Sequence, residues 1–241
     1  MAIIKCIPQI DNPWTFVRQH IQGSISEYGW ISTFGLTEIG VAAFYKRNEM
    51  TKFYMSNSVE KINSNAFQGC GKLTTINFSK NLTSIGYCAF TSCSSLSING
   101  LPSSLKTISS YGLQGIKSLT VTEWPSGLTT ISDYGLSIIT NLSITTLPEN
   151  LTTISMACCW KSTGLKEMTI PAGVKTVNTY AFHTCTDLAK VTFKGTPTSI
   201  ASNAFGNDTA LTDIYVPWAE GAVSNAPWGA TNATIHYDTT T

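Results

Sequence analysis

The chain has 241 residues, with 15 Lys or Arg against 14 Asp or Glu, a formal net charge of +1 at pH 7. Charged residues are 12% of the chain where about 25% is usual, so the surface lacks the basic footprint that nucleic acid binding needs. No apolar run approaches the ~18 residues of a membrane-spanning helix, and the start, MAIIKCIPQIDNPW, is interrupted too early by Pro8 and Asp11 to read as a secretory signal. As written, the chain is expected in the cytoplasm or in a virion released by lysis, and at a cell surface if it is part of a longer precursor.

Residues 1–35 read as an N-terminal cap, a degenerate first coil in which Asp11 or Asn12 before Pro13 starts a short helix and Trp14 and Trp30 close the core. From Leu36 to Val216 one skeleton returns every 23 residues. Stepping from Ile85 gives Ile39, Ile62, Ile108, Ile131, Ile154, Val177 and Ile200. The slot of Phe90 returns Phe44, Phe67, Leu113, Leu136, Cys159, Phe182 and Phe205, and that of Leu96 returns Met50, Leu73, Leu119, Leu142, Leu165, Leu188 and Leu211. A fixed period of this length is a solenoid signal, because one coil cannot bury its apolar face alone.

Within a coil, Leu73 to Phe78 alternates Ile76 and Phe78 with Asn77, as a strand with one buried face requires. Pro102, Pro125, Pro148 and Pro171 then mark a corner, where Gly127, Asn150 and Gly173 are expected to take left-handed geometry. Ser64, Ser110, Asp133, Thr179 and Ser202 precede the Phe slot by three residues and are placed to cap a short helical turn. Ala43, Ala66, Ala89, Ala181 and Ala204, replaced by Gly112 and Gly135 in the middle, keep the next slot small for close stacking. Residues 217–241 break the period and read as a C-terminal cap and tail, with Trp218 and Trp228 covering the last coil.

The segments AFTSC, with LTSI before it and SSL after it, and AFHTC, with VKTV before it, resemble the BspA-like leucine-rich repeat family over roughly Leu36 to Val216. The closing segment resembles that of family arrays carried by phages and gut bacteria. The resemblance implies an α/β solenoid: a leucine-rich repeat arc of about eight 23-residue coils, with a parallel concave sheet and short convex helical turns. Such arrays serve adhesion and protein binding in bacterial, protozoan and phage-encoded proteins, and the resemblance implies no reaction.

The residues themselves point away from chemistry. Cys70, Cys93 and Cys185 share a slot with Ile116 and Ile139, Cys158 and Cys159 fall in the Ala and Phe slots, and Cys88 shares one with Tyr111, Tyr134 and Tyr180. The spacing therefore belongs to the coil, and all seven thiols are expected to be free and buried. His183 and Cys185 form an H-x-C pair with no second pair to complete a zinc site. No catalytic residues, metal site or cofactor are expected.

One departure stands out. LSINGLP, LTVTEWP and LSITTLP move an apolar residue forward to Ile98, Val121 and Ile144. Either a shared bulge turns these three inward, or they form an exposed aliphatic stripe that marks a partner site.

The expected function is a non-enzymatic recognition or adhesion module, surface- or virion-associated, that binds a protein or glycan and neither nucleic acid nor the membrane interior. The competing role is a phage capsid or tail decoration using the array as a rigid spacer. The binding residues are expected four places after the Leu slot, pointing outward from the concave sheet: Tyr54, Asn77, Glu123, Thr146, Thr169, Thr192 and Tyr215, with Gly100 in the same row. Lys52, Thr75, Lys166, Lys190 and Asp213 flank it.

Overall fold

Seventeen strands, β1 to β17, all parallel to their partners, form a β-solenoid of about nine turns in the computed structural model, which describes residues 36–239. The helix and indoles expected before Leu36 lie outside those residues. Each coil passes through a long strand, a corner, a short strand and a run of turns. The long strands are β2 (Lys52–Tyr54), β4 (Thr75–Asn77), β6 (Ser97–Asn99), β8 (Ser118–Thr120), β10 (Asn141–Ser143), β12 (Glu167–Ile170), β14 (Lys190–Phe193), β16 (Asp213–Tyr215) and β17 (Thr234–His236). The short ones are β1 (Glu38–Ile39), β3 (Lys61–Ile62), β5 (Ser84–Ile85), β7 (Thr107–Ile108), β9 (Thr130–Ile131), β11 (Thr153–Ile154), β13 (Thr176–Val177) and β15 (Ser199–Ile200).

The repeat slots are the core. Every residue from Ile39 to Ile200 in the Ile slot is buried, as is every residue of the Phe and Leu slots. Because the coil step brings identical residues into register, Phe44, Phe67 and Phe90 stack with ring centroids 5.0 and 5.1 Å apart, and Phe182 stacks on Phe205 at 5.3 Å. Truncating one such ring to Ala typically costs 3–5 kcal/mol. At Gly112 and Gly135 the tight fit lies within the coil rather than between coils: a Cβ would come within 3.0 Å of a backbone oxygen and an isoleucine methyl of the same coil, while the neighbouring coil's isoleucine methyl is 3.4 and 3.7 Å away.

The turn run corrects one expectation, since no helix forms in it among the described residues. Asn63 to Ala66 closes as a β-turn through Ala66 N–H donating to Asn63 C=O at 3.3 Å, with Asn65 at φ 60°. Phe67 to Cys70 closes likewise at 3.1 Å, with Gly69 at φ 74°. Left-handed residues cannot propagate a right-handed helix, and here they free alternate amides for the neighbouring coil. Asn65, Phe67 and Gly69 donate to Tyr87, Ala89 and Thr91, each at 2.8 Å. The expected helix caps therefore have no helix to cap, and Asp133 Oδ1 instead accepts Met156 N–H from the next coil at 3.1 Å.

The corners differ too. Leu105, Leu128, Leu151 and Val174 donate back to Pro102, Pro125, Pro148 and Pro171 at 2.9 to 3.1 Å, closing turns without a left-handed residue at Gly127, Asn150 or Gly173. The left-handed positions sit on the turn face instead, where Cys88, Tyr111, Tyr134 and Tyr180 all have φ between 52 and 60°.

After Val216 the coil geometry continues. Val223 and Trp228 are buried 23 residues beyond Ile200 and Phe205, and β17 pairs with β16. Trp228 donates its indole N–H to Ser224 C=O at 2.8 Å and packs near Phe193 and Trp218. The two indoles thus fill the core of the last coil.

All six cysteines among the described residues are free and buried. Cys70, Cys93 and Cys185 donate their thiols to the carbonyls of Phe44, Phe67 and Cys159 in the preceding coil at 3.0 Å. Burial raises the Cys70 thiol to about 11 and pushes those of Cys93 and Cys185 higher still. The next member of that slot is Asp208, 4% exposed. Its Oδ1 accepts Cys185 N–H at 2.7 Å while Oδ2 has no hydrogen-bond partner among the described residues. Burial raises its carboxyl to about 8, with the amides of Cys185 and Thr184 opposing the shift.

Two outcomes follow from these buried groups. The thiols should resist labelling in native protein and react fully in denaturant, as a thiol titration in both conditions would show; fast native labelling of Cys70, Cys93 and Cys185 would contradict their placement. Asp208 holds its proton in the fold but loses it near the ordinary carboxylate range when unfolded. Native protein then binds more protons from about pH 4 to pH 8, so this group's contribution to stability falls as pH rises through that window. Asp208→Asn should raise the Tm by several degrees at pH 9 relative to the parent and by much less at pH 5. Equal shifts at both values would refute the assignment.

Candidate functional site

The middle coils resolve the open alternative of the sequence. Ile98, Val121 and Ile144 are 2, 7 and 5% exposed, so the shared departure is an inward bulge and the aliphatic stripe does not exist. Turning these residues inward leaves two consecutive outward positions in each coil, Asn99 and Gly100, Thr122 and Glu123, Thr145 and Thr146. It also detaches β6, β8 and β10 as a sheet of their own, with β2 and β4 on one side and β12, β14, β16 and β17 on the other.

That detachment divides the expected binding row. Tyr54 pairs with Asn77 across β2 and β4. Thr146, Thr169, Thr192 and Tyr215 form a continuous second stretch. Glu123 is exposed between them, outside any strand. The aromatic ends of the row also differ. Tyr54 is 38% exposed. Tyr215 is half-buried, stacked on His236 at 4.4 Å with Lys190 Nζ 5.0 Å from its ring centre. His236 Nε2 lies 2.8 Å from Asp213 Oδ1, and this contact, with the Thr212 hydroxyl, holds the Asp213 carboxyl below its ordinary value.

The break between β4 and β6 opens a cleft of about 600 Å³ on the long-strand face. Asn77, Asn99 and Gly100 stand on its lips, half-buried Ile76, Phe78 and Leu101 form apolar sockets, and Lys80 is the one charged residue lining it. Elsewhere Met55 N–H donates to Asn77 C=O at 3.0 Å, and Val216 N–H to His236 C=O at 2.9 Å. The equivalent Phe78 amide and Gly100 carbonyl are not bonded to each other. Gly100 makes the opening possible: its φ is 111°, which side chains rarely adopt, and the space where a Cβ would point is empty. Sequence reasoning placed Asn77 and Gly100 in the row but not the cleft, whose signal is the glycine within LSINGLP, two residues after the first shifted isoleucine.

No group of three or more metal-ligating side chains occurs among the described residues. His183 and Cys185 do not converge on a metal: the imidazole bonds Thr184 Oγ1 at 2.7 Å, whereas the thiol points to Cys159 C=O.

The repeat slots, the parallel coils and the buried ladders agree with a match to the BspA type leucine-rich repeat region in six copies, over residues 37–164 and 152–224. The chain belongs to this family. A leucine-rich repeat protein from Bacteroides ovatus shares its fold, with TM-score 0.55 and 20% identity over 84% of this chain and 64% of that one. The chain thus spans less than two thirds of that protein. A leucine-rich repeat protein of T. pallidum matches with TM-score 0.46 and 22% identity over 75% and 76% of the two chains. A leucine-rich cell surface protein from Faecalibacterium prausnitzii gives 0.40 and 14% identity over 85% and 84%. A comparison with curated proteins returns no significant match. The family is typically a non-enzymatic recognition fold, and no enzymatic module is identified in the match.

The bulge assignment has a direct test. Ile98→Ala should destabilise the protein by about 2–5 kcal/mol in a denaturant titration, whereas Asn99→Ala should change it by less than about 0.5 kcal/mol. Similar small effects of both would return Ile98 to the surface.

Proposed function

We propose that the protein is a non-enzymatic recognition module whose concave face binds an extended segment of a protein partner at the cleft between β4 and β6. The cleft carries this reading. Interrupted strand pairing leaves backbone donors and acceptors on its lips, and an extended chain can bond to them while placing alternate side chains over Ile76, Phe78 and Leu101. Sparse charge along the row suits many modest hydrogen bonds rather than one anchored ion pair. Tyr54, next to Asn77 in register, extends the surface on one side, and Glu123 lies on the other. A rod with one continuous core and its recognition strip along one side suits display on a cell surface or a virion. The spacer role in a phage particle predicts instead that the concave residues are dispensable.

Selection of a random displayed peptide library on the immobilised protein, followed by NMR titration with a selected peptide, tests the site. Amide shifts should concentrate in 75–78 and 97–101. Asn77→Trp, which fills the cleft from an exposed position, should abolish binding without lowering the Tm. Tyr54→Ala and Tyr215→Ala should each weaken binding, and Tyr215→Ala should also cost about 0.5–1.5 kcal/mol of stability because its ring is stacked. Peptides that bind with undiminished affinity to Asn77→Trp would move the site off this face.

A further inference from the structure

The exposed large apolar side chains point to a second surface. Of Val41, Tyr54, Tyr87, Ile138, Met156 and Tyr180, all but Tyr54 lie on the turn face. Along that face the left-handed slot holds Tyr111 and Tyr134, stacked at 4.8 Å with planes 6° apart, and then Ala157 before Tyr180. The missing ring changes its surroundings. Trp160, three residues on, turns its indole edge-to-face against Tyr134 at 6.0 Å and roofs the buried alanine. One coil further, His183 meets Tyr180 edge-to-face at 4.9 Å. Between these rings lies a cleft of about 290 Å³ lined by Tyr134, Ala157, Trp160, Tyr180 and His183.

Its polar groups are available. The Trp160 indole N–H and the hydroxyls of Tyr134 and Tyr180 make no hydrogen bond within the described residues. Lys161 Nζ stands 4.4 Å from the centre of the Trp160 ring, forms no ion pair among the described residues and is exposed. His183 keeps its own partners in Thr184 and, at 3.5 Å, Asn207. Burial, then the charge of Lys161, lowers its basicity, so the imidazole is neutral at neutral pH.

From this arrangement we propose that the turn face carries a carbohydrate site, for a single pyranose ring bearing a carboxylate. A pyranose presents a flat face of C–H groups that packs on aromatic rings and a rim of hydroxyls that exchange hydrogen bonds with indole and phenol groups. The cleft volume suits one such ring. Lys161 supplies the charge complement, since it is the cation beside the Trp160 ring and pairs with no carboxylate among the described residues. A single-stranded nucleic acid would also stack on tyrosines, but it needs a basic track beside them, and this face offers one lysine at the cleft. The site lies on the turn run, shares no lining residue with the cleft on the long strands and does not depend on it.

Saturation-transfer NMR with glucuronic acid and with glucose, on the whole protein, tests the proposal. Glucuronic acid should receive saturation most strongly on its ring C–H protons and shift the Trp160 indole N–H resonance. Trp160→Ala should abolish both effects. Lys161→Gln should weaken glucuronic acid several-fold and leave glucose, the weaker ligand, unchanged. Ala157→Tyr restores the missing ring at a φ of 51° where Tyr134 and Tyr180 sit at 58° and 60°, so it should fold and block the cleft. Transfer that survives Trp160→Ala, equal binding of the two sugars, or no transfer to either at millimolar concentration would overturn the proposal.

Discussion

The array depends on where each coil sends its alternate turn-face amides. A left-handed residue in each turn aims its amide along the solenoid axis, and the carbonyl of the next coil receives it, as with Asn65 and Tyr87 or Gly69 and Thr91. Buried backbone groups must be paired, and the turn run satisfies part of its own set only by lying against another coil. This sets the step at one strand spacing, about 4.8 Å, which in turn brings identical side chains into the Phe and Tyr stacks. Positive φ at Tyr111, Tyr134 and Tyr180 is costly for non-glycine residues. It persists because bonds within the coil and between coils fix the same geometry, and its by-product is a line of phenol rings standing on the turn face.

Much of this was legible in the residues because the core repeats as side-chain volume. The Ile, Phe and Leu slots identified the coil, the buried positions and the setting of the thiols without any knowledge of backbone angles. The helical turns were misjudged for a related reason. Ser or Asp three residues before an apolar slot is a helix-cap signal, but a succession of β-turns places the same residues at the same spacing, and only backbone dihedrals separate the two. Val223 and Trp228 kept the period beyond Val216, yet the prolines and glycines around them concealed it.

The candidate sites were harder to see because they arise where the repeat fails. The outward row on the long strands followed from alternation, and most of it is where alternation puts it. The cleft follows from a change in strand register: β6 pairs with β8 with Ser97 opposite Ser118, two residues off the 23-residue step, and β6 no longer pairs with β4. No residue type encodes that shift by itself. The aromatic cleft on the turn face likewise results from an alanine in a tyrosine slot, a deletion that reads in sequence as unremarkable variation.

The same failures have a mechanical side. The long-strand ladder is broken at the β4/β6 junction and reduced to an isolated bridge, Thr146 with Thr169, at the β10/β12 junction, and the short-strand ladder is broken between β9 and β11, where Ser155 Oγ reaches Ile131 C=O at 2.7 Å across the gap. These joints are staggered like those of brickwork. Where a long-strand joint opens, β5 still pairs with β7 and β11 with β13; where the short-strand joint opens, β8 still pairs with β10. The turn-face bonds cross all three junctions, through Cys88, Tyr134 and Ala157 among others. Tension applied along the axis therefore meets no seam held by a single ladder. The array gains openings in its surface while remaining a rod that transmits force from one end to the other.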